Sequence, residues 1–138
     1  MSVIFGSLIY LVIKVVGYSF YAKYLNRLFS KENNIWKVGA VRTLLGVVLG
    51  VIHNAVLFST LNISMGRSPI GGEDTFIYLL LLILLRVFEW GIIVYWFYTR
   101  SLGINVRTIK GVGLGVIWSF ILDIPLWMGL IAVIATIC

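Results

Sequence analysis

Residues 78–96 read YLLLLILLRVFEWGIIVYW. This apolar run has the length of one membrane crossing, because a bilayer core of about 30 Å needs about 20 helical residues. Arg86 and Glu89 lie near its middle, where a charged side chain costs about 2.5–3.5 kcal/mol on insertion scales. The run therefore predicts a transmembrane helix whose two charged residues have partners elsewhere in the protein.

The rest of the chain is similarly apolar. Of its 138 residues, 61% are hydrophobic and 12% are charged, whereas water-soluble domains carry about 25% charged residues. The net charge is +6. Basic residues in a membrane protein set its orientation and contact anionic lipid, so this charge does not indicate a nucleic-acid partner. The single histidine, His53, and the single cysteine, Cys138, are far apart, so neither a His/Cys metal site nor a cofactor is expected. The composition predicts an integral membrane protein.

The sequence contains four stretches that are long and apolar enough to cross a bilayer as helices. They are residues 3–22, 38–61, 75–98 and 111–137. A chain of this length is expected to form one domain. The prediction is an all-α integral membrane protein in which residues 1–138 form a single four-helix transmembrane bundle.

The distribution of basic residues predicts the orientation of these spans. The first and third connections are rich in lysine and arginine: Lys23, Arg27, Lys31, Lys37, Arg100, Arg107 and Lys110. In the second connection, Arg67 is offset by Glu73 and Asp74. By the positive-inside rule the first and third connections are cytoplasmic, so both termini lie on the outer side of a cell (inner) membrane. The first connection, residues 23–37, is either a charged turn or a short amphipathic helix against anionic inner-leaflet lipid.

Four ionisable residues occupy similar depths in three of the spans. These are Lys14, Arg86, Glu89 and Asp123. Arg86 and Glu89 are three positions apart, so they share one helical face. Two cations and two anions that pair inside the bundle avoid most of the cost of placing charge in lipid. We therefore predict an intramembrane polar cluster of these four residues, with pairing within one chain and pairing between chains both open.

Polar and small residues recur at helical spacing on the faces that carry these charges. In the first span, Tyr10, Lys14 and Tyr18 form such a stripe. Small residues let helices approach closely, and polar residues hydrogen-bond across the contact. The predicted periphery of the cluster is Arg42, His53, Asn54 and Ser119. The predicted helix contacts are Gly46, Gly50, Gly111 and Gly115.

Three functions are compatible with a polar cluster inside a membrane domain. Intramembrane ionisable residues mark ion or solute pathways, so the leading hypothesis is a small transporter or channel that moves an ion or small solute as a homo-oligomer. The alternative is a non-catalytic structural or accessory subunit of a membrane complex, in which the charges fix helix register. The third is a lipid-active enzyme in which His53 acts with Glu89 or Asp123 as a general acid–base pair. No serine or cysteine nucleophile motif accompanies His53, so an enzyme is the least favoured.

Overall fold

Four α-helices and one π-helical turn make up the described part of the protein. The computed structural model describes residues 2–61, 73–100 and 103–127. The helices are α1 (Ser2–Phe29), α2 (Ile35–Leu61), α3 (Glu73–Val94) and α4 (Val106–Trp127), and the π-helical turn Tyr95–Thr99 follows α3 directly. Within the described ranges there is no strand, which confirms the all-α prediction.

Three helical stretches are long and apolar enough to cross a membrane: Leu8–Phe29, Ile35–His53 and Leu79–Thr99. Their outer faces carry large apolar side chains such as Phe20 and Leu44, each 66% exposed. An extended apolar surface of this kind is unfavourable in water and is matched by lipid. Length, composition and surface therefore indicate a helical membrane protein. Part of the fourth predicted span, residues 128–137, lies outside the described residues, and the four-span topology and the side of the termini stay predictions.

Helix α1 is longer than the sequence analysis predicted. It ends at Phe29 rather than near residue 22, so residues 23–29 of the predicted inner connection are helical and continuous with α1. The amide of Lys31 donates to the Asn26 carbonyl at 3.0 Å as the helix closes. Asn34 then caps α2, because its side-chain oxygen accepts from the amides of Trp36 and Lys37 at 3.1 and 3.3 Å, which satisfies two donors of the first turn.

The helices pack in a ring that follows chain order. α1 contacts α2 and α4, and α3 contacts α2 and α4. Trp90 of α3 is fully buried at the centre, with its ring 4.8 Å from that of Tyr21 and 5.7 Å from that of Tyr18 in edge-to-face arrangements. Such offset aromatic pairs contribute about 0.5–1.5 kcal/mol beyond the area that they bury. The centre of the bundle is therefore aromatic.

Glycines allow the close helix contacts around this core. A Cβ atom at Gly115 of α4 would lie 2.6 Å from the Trp90 ring, and one at Gly111 would lie 3.2 Å from Leu25 and Phe29 of α1. At Gly17, for which the sequence analysis made no prediction, it would lie 2.5 Å from the Leu122 side chain. Side chains larger than hydrogen would therefore separate α4 from both α1 and α3.

Side-chain hydrogen bonds join the helices at the end of the bundle that holds the π-helical turn. The Tyr98 hydroxyl donates to the Asn26 side chain at 2.9 Å, and Asn33 donates to the Phe97 carbonyl at 2.8 Å. Tyr21 donates to the Gly111 carbonyl at 2.7 Å. Because these donors and acceptors have partners, polar groups are accommodated at the helix contacts without the cost of leaving them unpaired.

Candidate functional site

Arg42 of α2 and Glu89 of α3 form the most deeply buried ion pair. Arg42 Nη2 lies 2.5 Å from Glu89 Oε2, and neither residue has exposed surface. The Arg42 guanidinium also lies over the rings of Tyr18 and Trp90, 4.8 and 5.0 Å from their centroids. Aromatic faces attract a cation, so Arg42 is held by a carboxylate and two rings together.

The position of Arg42 differs from the peripheral one that the sequence analysis predicted. α2 begins at Ile35 rather than near residue 38, which places Arg42 about one turn deeper from the start of the helix. Its long side chain then reaches across to α3. The partner of a buried arginine depends on how two helices cross, and neither depth nor spacing in the sequence contains that information.

Arg86 links the two carboxylates of the site. Its Nη1 lies 3.2 Å from Glu89 Oε2, and its Nη2 lies 3.0 Å from Asp123 Oδ2. Asp123 Oδ1 in turn contacts Lys14 Nζ at 2.7 Å and accepts from the Tyr10 hydroxyl at 2.6 Å. The ion pairs run in series from Lys14 through Asp123, Arg86 and Glu89 to Arg42. We call Lys14, Arg42, Arg86, Glu89 and Asp123 the charge cluster.

Ser119 of α4 closes the site on the side of the aromatic core. Its hydroxyl accepts from Trp90 Nε1 at 2.9 Å and donates to the Gly115 carbonyl at 3.0 Å. Arg42 Nη2 lies 3.4 Å from the same oxygen. Ser119 is fully buried, so it connects the charge cluster to the rigid packing around Trp90.

Four of the five residues of the charge cluster, all except Asp123, lie inside the apolar helical stretches. Lys14 is six residues from the Leu8 end of its stretch, and Arg86 is seven residues from the Leu79 end of its own, roughly 9–10 Å at the rise of an α-helix. The cluster contains three cations and two carboxylates, so its formal charge is +3 − 2 = +1. A net charge at this depth is costly unless a counter-charge balances it.

A groove of about 340 Å³ runs between α1 and α2 beside the charge cluster. Its polar lining comes from Tyr10, Lys14, Tyr18, Arg42, Thr43 and Arg86. Leu11, Val47 and Val51 form its apolar edges and are exposed, so the α1–α2 groove is open on its outer side. The volume is at the lower end of the range for small-molecule sites.

Gly46 and Gly50 of α2 line this groove. A Cβ atom at Gly46 would lie 2.9 Å from Arg42 Nη1, 3.8 Å from Glu89 Oε1 and 3.9 Å from Arg86 Nη1, while one at Gly50 would have no neighbour within 4 Å. Gly46 therefore leaves space for the Arg42 guanidinium. Gly50 keeps the groove open.

His53 and Asn54 lie further along α2. His53 is partly buried and follows Arg42 by 11 residues, roughly 16 Å along the helix axis. The side chain of Asn54 lies outside the described residues. Among the residues that the structure describes, no group of three histidine, cysteine or carboxylate side chains is arranged to hold a metal ion.

Comparison with other proteins gives no functional information. No protein-family model, curated protein or solved structure matches the chain. What the protein does must therefore be inferred from the charge cluster and the α1–α2 groove themselves.

Proposed function

We propose that the protein carries a small ion or solute across a membrane along a route that includes the α1–α2 groove. The observation that supports this function is a groove lined by ionised side chains at a depth where the surrounding helices are otherwise apolar. Ionisable residues inside a membrane domain typically mark such a pathway. A cluster that only joined helices would need no adjoining cavity.

The arrangement of the ion pairs offers a way to couple binding to movement. Lys14 and Arg86 line the groove and also hold Asp123. A ligand that interacts with these cations competes with the Asp123 carboxylate for them. Binding would then favour a conformation in which the contacts to Asp123 are loosened, because a ligand shifts the equilibrium toward the state that it binds better.

We propose that the working form is a homo-oligomer in a cell (inner) membrane. One chain supplies few helices for a complete pathway, and the groove is open along Leu11, Val47 and Val51. A second copy packed on these apolar edges, next to Gly50, would close it. Native mass spectrometry in mild detergent reports the number of chains. A monomer free of partner proteins would count against this arrangement.

We propose that the chain crosses the membrane four times, with both termini on the outer side. Its inner surface contacts anionic lipid. The basic residues of the first and third connections are exposed: Lys23, Arg27, Lys31, Lys37, Arg100, Arg107 and Lys110. Exposed basic residues near a membrane surface interact with anionic headgroups at about 1 kcal/mol each. This supports placing these connections at the cytoplasmic face.

Flux into proteoliposomes tests the proposed transport. Three probes cover the solute classes: nitrate as its potassium salt with valinomycin, sodium ions with an entrapped indicator dye, and glycerol by light scattering. We expect flux of at least one probe, and we expect Asp123→Asn to abolish it in a protein that still folds. Lys37→Gln, which removes an exposed charge outside the cluster, should leave flux unchanged. Absence of flux for all three probes would overturn the proposal.

The second candidate is a structural or accessory subunit. The charge cluster joins all four helices within one chain, which is the arrangement expected if buried ion pairs only fix packing and register. This function predicts no flux and a companion membrane protein that co-purifies in mild detergent. A lipid-active enzyme is the third proposal, which would require turnover that depends on His53.

A further inference from the structure

The ionised side chains that line the α1–α2 groove all have the same sign. Lys14, Arg42 and Arg86 contribute to its lining, whereas neither carboxylate of the charge cluster does. Glu89 and Asp123 contact these cations within the bundle. A molecule in the groove therefore meets the positive side of the ion pairs.

Several hydrogen-bond donors around the groove have no acceptor within residues 2–61, 73–100 and 103–127. The Tyr18 hydroxyl, Arg42 Nε, Arg42 Nη1 and Arg86 Nε are buried and have no hydrogen-bond partner among the described residues. Tyr18 is 1% exposed and Arg42 is 0% exposed. A buried donor without an acceptor is destabilising. Glu89 Oε1 is a buried acceptor without a partner among the described residues, but the four unpartnered donors outnumber it, so the site favours an occupant that accepts hydrogen bonds.

The Arg42 guanidinium is directed toward the groove at Gly46. A Cβ atom at Gly46 would lie 2.9 Å from Arg42 Nη1 and 3.8 Å from Glu89 Oε1, so this buried nitrogen and the carboxylate oxygen lie against the backbone of Gly46. The Tyr18 ring lies against the same guanidinium, and its hydroxyl is among the unused donors. Arg42 and Tyr18 thus supply hydrogen-bond donors on one side of the α1–α2 groove.

The formal charge of the cluster indicates the charge of the occupant. With all five side chains ionised, the sum is +1, and a singly charged anion would neutralise it. A doubly charged anion would leave −1 at the same depth. Because charge is stabilised poorly in low dielectric surroundings, the singly charged anion is favoured.

We propose that the α1–α2 groove binds a small, singly charged anion through Lys14, Arg42, Arg86 and the Tyr18 hydroxyl. This inference rests on the proposed transport function, for which it names the class of cargo. Both a free inorganic anion and the phosphodiester of a lipid headgroup present the required single charge and acceptor atoms. The groove is open toward its apolar edges, so either source has access.

Binding to the purified protein in zwitterionic detergent tests the inference. Isothermal titration calorimetry with sodium nitrate and with sodium sulfate, at equal ionic strength, measures the preference for single charge. Native mass spectrometry with added phosphatidylglycerol measures retained lipid. Nitrate binding in preference to sulfate supports a free anion, and retained phosphatidylglycerol supports a headgroup. Binding of neither, or preference for sulfate, would overturn the proposal.

Tyr18→Phe is the decisive variant because it removes only a hydroxyl that has no hydrogen-bond partner in the described part of the chain. It should weaken binding of the anion about tenfold, the effect of losing one hydrogen bond to a charged group, while the melting temperature stays the same or rises. Tyr21→Phe is the matched control. Its hydroxyl donates to the Gly111 carbonyl away from the groove, so its loss should lower the melting temperature and leave binding unchanged. Unchanged binding in Tyr18→Phe would remove Tyr18 from the site and contradict the proposal.

Binding and flux separate the two proposals. Anion binding without flux of any probe would support the site and overturn transport. Flux of sodium or glycerol without anion binding would support transport and overturn the anion site.

Discussion

Arg42 and Glu89 are 47 positions apart in the sequence, and their side chains are in direct contact inside the bundle with no exposed surface. Burying two charges costs several kcal/mol per ion, which a close pair recovers only when its remaining donors and acceptors are also satisfied. Arg86 adds a second cation to the same carboxylate oxygen, while Glu89 Oε1 and Arg42 Nε and Nη1 have no hydrogen-bond partner among the described residues. The pair itself therefore leaves part of its burial cost unrecovered.

Removal of one member of this pair should be strongly destabilising. Glu89→Leu leaves Arg42 buried without its carboxylate, and we expect the free energy of unfolding in detergent to fall by about 3–5 kcal/mol. The double variant Arg42→Met, Glu89→Leu removes both charges and should recover most of this loss. Denaturant titration followed by tryptophan fluorescence gives the free energies. If the losses in the double variant were additive, the two side chains would not be coupled.

The contact between Gly115 and Trp90 makes a separate prediction about packing. Gly115→Ala places a Cβ atom 2.6 Å from the Trp90 ring, and overpacking of this kind costs about 1–3 kcal/mol. Gly113→Ala is the matched control on the same helix, because its Cβ atom would have no neighbour within 4 Å. Alanine is the better helix former, so the control should be neutral or stabilising. Equal melting temperatures for the two variants would contradict the packing described for α4.

Much of the site follows from depth and helical spacing. Arg86 and Glu89 share a face because they are three residues apart, and the sequence predicted similar depths for Lys14 and Asp123. The structure places these four side chains in contact.

Other features depend on geometry that one sequence does not contain. The central position of Arg42 follows from the crossing of α2 and α3, and the role of Gly46 follows from the path of that long side chain. The end of α1 at Phe29 was missed because its last turns carry basic residues, which hydropathy assigns to a connection. The sequence places Tyr10 and Tyr18 on one helical face with Lys14, but it does not give the residues that these tyrosines contact.

The orientation of the chain can be tested with its single cysteine. Outer termini predict that Cys138 reacts with a membrane-impermeant maleimide in intact spheroplasts. The double variant Cys138→Ser, Lys31→Cys moves the thiol to the exposed turn between α1 and α2. It should react only after permeabilisation. The reverse pattern would place the basic connections outside and overturn the proposed topology.

Arg86 should not be replaceable by lysine, although the charge is the same. One Arg86 nitrogen contacts Glu89 and the other contacts Asp123, and the planar fork of a guanidinium suits such a bridge, whereas a lysine ammonium is a single point of contact. Arg86→Lys should lower the free energy of unfolding by about 1–3 kcal/mol, the cost of leaving one buried partner unsatisfied. Lys14→Arg is the comparison, because Lys14 contacts one carboxylate only. Lys14→Arg should lower the free energy of unfolding less than Arg86→Lys does in the same denaturant titration. Equal losses for the two variants would show that bridging Glu89 and Asp123 does not require the guanidinium of Arg86.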